Sequence, residues 1–144
     1  MQSFHFRLER VAEWYTRQFE EEERRFSACL AALADARQAI AALQAERLSV
    51  ERDLLSRQSI VSRDLAALGL YRLGVKKREI ELIAVRERAE AAVAAQRAKL
   101  QVADRKVRLL AKLRERKLAE HTYEETRELE ELASDAFFAK WAAR

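Results

Sequence analysis

Few residues of this chain have side chains suited to chemistry, and their spacing decides how far they can act. His5 and His121 stand in opposite halves, and the chain lacks the His-Glu or Cys-His spacing typical of a metal site. Cys29 is the single thiol. It falls on an apolar stripe, where cysteine serves as a small hydrophobe. The carboxylates at positions 20–23 are consecutive, so on a helix they wrap around the axis and do not converge on a pocket. No glycine-rich loop is present to cradle a phosphate. These patterns predict no catalytic residue, no metal ligand and no cofactor site. The expected protein is not an enzyme.

Charge is patterned more strongly than the reactive groups are. Residues 105–117 carry Arg105, Lys106, Arg108, Lys112, Arg114, Arg116 and Lys117 against one acid, Glu115. Directly after them come Glu120, Glu124, Glu125, Glu128, Glu130 and Glu131, with Arg127 the only base. A solvated helix face ordinarily mixes its signs, so this separation points to a docking surface of patterned charge. Nucleic acid fits poorly. The acidic neighbour repels phosphates, no aromatic residue interleaves the basic run, and the net charge is only +4.

The elements that carry these residues follow from what the chain omits. It has no proline and two glycines in 144 residues, Gly69 and Gly74. Proline removes a backbone donor and glycine loosens the backbone, so little here interrupts a helix. Charged residues make up 36 % and the apolar class 49 %, much of it alanine, a composition suited to long helices that bury a narrow seam. In the first half the seam is Phe4, Leu8, Val11, Tyr15, Phe19, Glu22, Phe26, Cys29, Leu33, Ala36, Ile40 and Leu43, in steps of three or four with one polar member. In the second half Ala89, Val93, Gln96, Leu100, Ala103, Val107 and Leu110 repeat it, again with one polar break. Ser3 is placed to cap the first helix. Glu13/Arg17, Glu20/Arg24, Glu21/Arg25 and Asp53/Arg57 have the spacing of bracing pairs.

Each seam needs a partner, and the simplest is the other half. The expected fold is all-α: two long helices forming an antiparallel coiled-coil hairpin. The turn is placed at residues 58–62, with helix 1 over about 3–57 and helix 2 over about 62–141 in one domain. Ser62 is expected to cap helix 2, with Asp64 favoured by the helix dipole. Residues 69–74 are the rival turn and would make the arms more equal. With the turn near residue 59, everything after about Leu118 overhangs, leaving Leu129, Leu132, Phe137, Phe138 and Trp141 without a partner in the chain.

The chain resembles the flagellar FliJ family. Phe4, Phe6, Arg7, Leu8, Glu9 and Val11 are similar to its Phe-x-Phe-Arg-Leu-Glu-x-Val opening. The stretch containing Leu110, Leu113, Glu115, Arg116 and Leu118 is similar to its Leu-x-x-Leu-Lys-Glu-Arg segment, and Glu131, Leu132 and Ala133 resemble its acidic ending. Tyr71 stands where members place an aromatic residue early in the second helix. The resemblance implies a stalk protein of the type III export apparatus, akin to the stalk proteins of virulence secretion systems. Such a stalk enters the ring of the export ATPase, promotes its assembly, links it to the membrane export gate and handles export chaperones. The resemblance implies a gate contact at Tyr71, Val75, Arg78 and Leu82, although Arg78 departs from the small residue expected there. Ring contact is expected at Arg105, Arg108, Lys112, Arg114, Arg116, Lys117, Phe137 and Trp141.

Two other classes compete. A generic coiled-coil scaffold would use the same seams between chains, and a basic coiled coil could bind nucleic acid. The opening lacks the apolar core of a signal peptide, and no segment approaches ~18 uncharged apolar residues. The expectation is a soluble cytoplasmic protein, peripherally associated with the inner-membrane export apparatus, not inserted in the membrane, and monomeric when free.

Overall fold

The computed structural model describes residues 2–144, and in it two long helices pack against each other. They are α1 (Glu9–Leu55) and α2 (Ser62–Ala142). Among the described residues no strand occurs and none takes a positive φ. Gly69 and Gly74 both lie inside α2, where a Cβ would meet nothing within 4 Å. The chain therefore continues through the rival turn region as helix. Glycine there costs backbone entropy and packs against nothing.

The helix ends differ from the sequence expectation in their details. Residues 2–8 precede α1, so Ser3 does not cap it. The entry is made by backbone groups: the Phe6 carbonyl accepts from Glu9 N–H at 3.1 Å and the Leu8 carbonyl from Ala12 N–H at 2.8 Å. The opening segment has its own packing, with Phe6 buried, and helix begins only after it. At the far end of α1, Ser56 Oγ donates to the Asp53 carbonyl at 2.8 Å, and Ser56 N–H to the Arg52 carbonyl at 3.0 Å. These bonds satisfy carbonyls that a helix C-terminus leaves open, without a left-handed glycine. Helix 1 thus spans 9–55, not 3–57. At the start of α2 the Val61 carbonyl accepts from Asp64 and Leu65, so Val61 holds the capping position and Ser62 is the first residue inside. Asp64 lies in that first turn, where a carboxylate is favoured.

Contacts divide the described residues into two units. In the unit Glu21–Leu100, Leu33, Ala36 and Ile40 of α1 and Val75 and Val93 of α2 are buried. Phe26, Cys29, Leu43, Leu68, Tyr71 and Leu82 are half-buried around them. Polar links between the helices run in opposite numerical order. Glu22 meets Gln96, Arg37 meets Glu90 at 3.8 Å, Gln44 meets Glu79 at 3.4 Å and Glu51 meets Arg72 at 2.9 Å. The one polar member of each seam thus faces the other: Gln96 is buried, and its Nε2 donates to the Glu22 carboxylate. Arg25 supplies a second donor to that carboxylate at 3.2 Å.

The second unit comprises residues 2–20 with Gln101–Arg144. Phe6 and Leu110 are buried there, with Leu8, Ala12, Tyr15, Phe19, Ala103, Val107 and Leu113 half-buried. Val11, expected in the seam, is 41 % exposed and Ala12 turns inward in its place. The helix starts later than the spacing assumed, and this shifts the first inward position by one residue.

By length and composition α1 passes for a helix able to cross a membrane, with mean hydropathy 1.3 over its most apolar stretch. Alanine raises hydropathy without supplying large side chains, and Asp35 and Arg37 interrupt the alanine-rich part. Here the same stretch turns Leu33, Ala36 and Ile40 toward α2.

Three outcomes are expected for unfolding in urea. Gly69→Ala and Gly74→Ala should each stabilise the chain by about 0.5–1 kcal/mol, because both positions are open and helical. Gln96→Leu should destabilise it by about 1–3 kcal/mol by stripping a donor from a partly buried carboxylate. Glu22→Leu combined with Gln96→Leu should recover that loss, and a double-mutant cycle measures the coupling.

Candidate interaction surface

Surfaces, not pockets, hold the residues singled out by the sequence. α2 carries the basic block on successive turns, and the structure sorts its members. Arg108 Nε lies 3.0 Å from Asp104, and Lys117 Nζ lies 2.9 Å from Glu120. Arg114 reaches Glu9 at 3.2 Å while its guanidinium stands 5.9 Å from the centroid of Phe4. Lys106 Nζ lies 5.6 Å from the Tyr15 ring centroid. These exposed pairs hold side chains in place and contribute little stability. Arg105, Lys112 and Arg116 are exposed and have no ion-pair partner among the described residues. They recur at intervals of seven and four, so they share one face of α2.

Beyond this block the helix loses its cover. His121 and Glu125 are half-buried, and every other residue from Thr122 onward is exposed. Phe137 is 66 % exposed, Phe138 63 % and Trp141 72 %, with the two phenyl rings edge to face at 6.0 Å. Leu129 and Leu132 are bare as well. A run of large apolar side chains on an uncovered helix is what an interaction site requires.

The opening segment lies against this part of α2. The His121 Nε2–H donates to the Gln2 carbonyl at 3.1 Å, and the Phe4 ring meets the imidazole edge-on at 5.6 Å. His121 Nδ1 is 3.7 Å from Glu125. A cleft of about 520 Å³ opens beside them, lined by Phe4, His5, Leu113, Lys117, His121 and Glu124. The spacing of the opening motif was readable, but its non-helical packing and its meeting with His121 were not. Nothing local in residues 2–8 records a partner more than a hundred positions away.

The four residues of the implied gate contact do not share an exposed patch. Val75 is 8 % exposed, and Tyr71 and Leu82 are half-buried. The Tyr71 hydroxyl is buried without a hydrogen-bond partner. Arg78 points outward and pairs with Glu81 at 3.3 Å. The exposed apolar side chains of this stretch are Leu70, Leu73 and Ile80. Sequence reasoning overlooked them because they lie off the seam.

Packing therefore governs the effect of substitutions here. Val75→Ala should lower stability by about 1.5 kcal/mol, the value of two buried methylene equivalents. Leu73→Ala and Arg78→Ala should remain within about 0.5 kcal/mol of the parent chain. Chemical denaturation of the three variants reads this out. Compared with known proteins, the chain matches no family model, no curated protein and no solved structure.

Proposed function

We propose that this chain is a stalk protein of the flagellar type III export apparatus, folded as an antiparallel two-helix coiled-coil hairpin. In this reading it is a soluble cytoplasmic protein, held peripherally at the inner-membrane export machinery, with no chemistry of its own. It enters the export ATPase ring, promotes ring assembly, links the ring to the export gate and handles export chaperones. The observation that carries the reading is the bare end of α2, where Leu129, Leu132, Phe137, Phe138 and Trp141 lack cover from the opening segment. A tip of this kind suits insertion against the apolar inner wall of a ring. Arg105, Lys112 and Arg116, which have no ion-pair partner among the described residues, suit contact with an acidic surface. The opposite numerical order of the inter-helix links supports the antiparallel arrangement, and the Phe4-to-Val11 motif supports the flagellar branch over the virulence one.

The gate contact, in this reading, is made by Leu70, Leu73 and Ile80, with Tyr71, Val75 and Leu82 packing behind them. The second reading, a generic scaffold, draws on the same exposed stripes.

Mixing the purified chain with the export ATPase of its own cell tests the proposal. Stimulated ATP hydrolysis and co-purification with the ring are expected. Deleting residues 134–144 should abolish most of the stimulation while leaving the thermal transition unchanged. Charge reversal at Arg105, Lys112 and Arg116 should do the same with helicity intact. An ATPase indifferent to the full chain, in both hydrolysis and binding, would overturn the reading.

A further inference from the structure

One exposed line of α2 is built to match its own reverse. Take Tyr123, which is 71 % exposed, as the origin. Seven residues before it stands Arg116, and seven after it Glu130. Fourteen before stands Leu109, and fourteen after Phe137. Eighteen before stands Arg105, and eighteen after Trp141. The intermediate step of eleven gives Lys112 and Ser134. Intervals of 7, 11, 14 and 18 are about two, three, four and five turns of a 3.6-residue helix, so all these side chains lie along one strip. Each of them is exposed, and the seam residues Val107 and Leu110 lie on the other side of the helix.

We propose that this strip binds the same strip of a second copy, antiparallel, about a two-fold axis at Tyr123. In an isologous contact each residue meets the one equally far on the other side of the axis. Reversal places Arg116 against Glu130 of the second copy, an opposite-charge pair made twice. Leu109 meets Phe137, apolar on apolar. Arg105 lies over Trp141, the aromatic ring that holds a cation best. Lys112 donates to the Ser134 hydroxyl, and the two Tyr123 rings stack at the centre. None of these steps juxtaposes like charges, and the step of four, which lies on the same strip, sets the small Ala119 against Arg127. A parallel pairing would put Arg116 on Arg116 and Glu130 on Glu130, so the charge order selects the antiparallel sense.

The occupant is a second copy because the strip's complement is the strip itself. A seam filled within one chain implied a monomer, and this face provides a separate route to association. The inference does not depend on the export reading, since it concerns the chain alone. If both hold, the second copy covers Arg105, Lys112, Arg116, Phe137 and Trp141, and the dimer competes with ring binding.

Light scattering and sedimentation equilibrium on the full chain, over a concentration series into the high micromolar range, test this. The expected result is a monomer–dimer equilibrium between 16.7 kDa and twice that mass. Arg116→Glu and Glu130→Arg should each weaken the dimer by about tenfold or more, and the two combined should restore it, with circular dichroism unchanged throughout. In a Cys29→Ala background, Tyr123→Cys should give a disulfide-linked dimer on mild oxidation, and Leu118→Cys on the other side of the helix should not. A chain monomeric at every concentration overturns the proposal. So does a dimer indifferent to Arg116→Glu, or one cross-linked equally well through position 118. Binding of the outer strip by the export ATPase alone, with no self-association, also counts against it.

Discussion

The register of α1 against α2 rests on the contact between Glu22 and Gln96. A seam of alanine, leucine and valine can slide by a heptad with little change in what it buries. A carboxylate and an amide cannot, because a slip leaves both polar groups against apolar neighbours without partners. The pair adds little net stability over an apolar layer, but it makes every other register costlier. The order of Arg37 with Glu90, Gln44 with Glu79 and Glu51 with Arg72 is consistent with that one alignment. These outer pairs are solvated and follow the register more than they set it.

The same economy governs the ends of the helices. α1 stops without glycine or proline, using the Ser56 hydroxyl and backbone amides to cover its last carbonyls. α2 starts on the Val61 carbonyl with Asp64 in its first turn. Both glycines sit inside a helix, where their conformational freedom is unused. Of the serines in this connection, Ser56 bonds the backbone with its hydroxyl, the kind of local bond that competes with helix.

Much of the fold was legible because a helical repeat is local. The step of three or four residues picks out Leu33, Ala36, Ile40 and Val93 directly, and these are buried. The two polar breaks, Glu22 and Gln96, were each visible as exceptions, yet their meeting was not, since pairing is a property of register and not of either segment. Val11 was misplaced because the spacing alone could not say that helix begins at Glu9. The surface was harder still. Which cations in residues 105–117 are engaged depends on Asp104, Glu9, Phe4, Glu120 and Tyr15, and three of those five come from the opposite end of the chain. Val75, a gate contact by the family resemblance, is buried, a property that the resemblance alone does not carry.

The spread of contacts in sequence carries a consequence for the order of assembly. Within Glu21–Leu100, Arg72 meets Glu51 across 21 residues, Gln44 meets Glu79 across 35, and Gln96 meets Glu22 across 74. In the other unit Arg114 meets Glu9 across 105 and His121 meets Gln2 across 119. Closing a loop of 119 residues in one step is entropically dearer than closing one of 21, and each contact already made shortens the loop left for the next. With no proline to isomerise, no slow backbone step interrupts such a sequence. Loop closure is therefore cheapest beside Ser56 and Ser62 and dearest for the opening aromatic segment, whose contacts gain most from those already made.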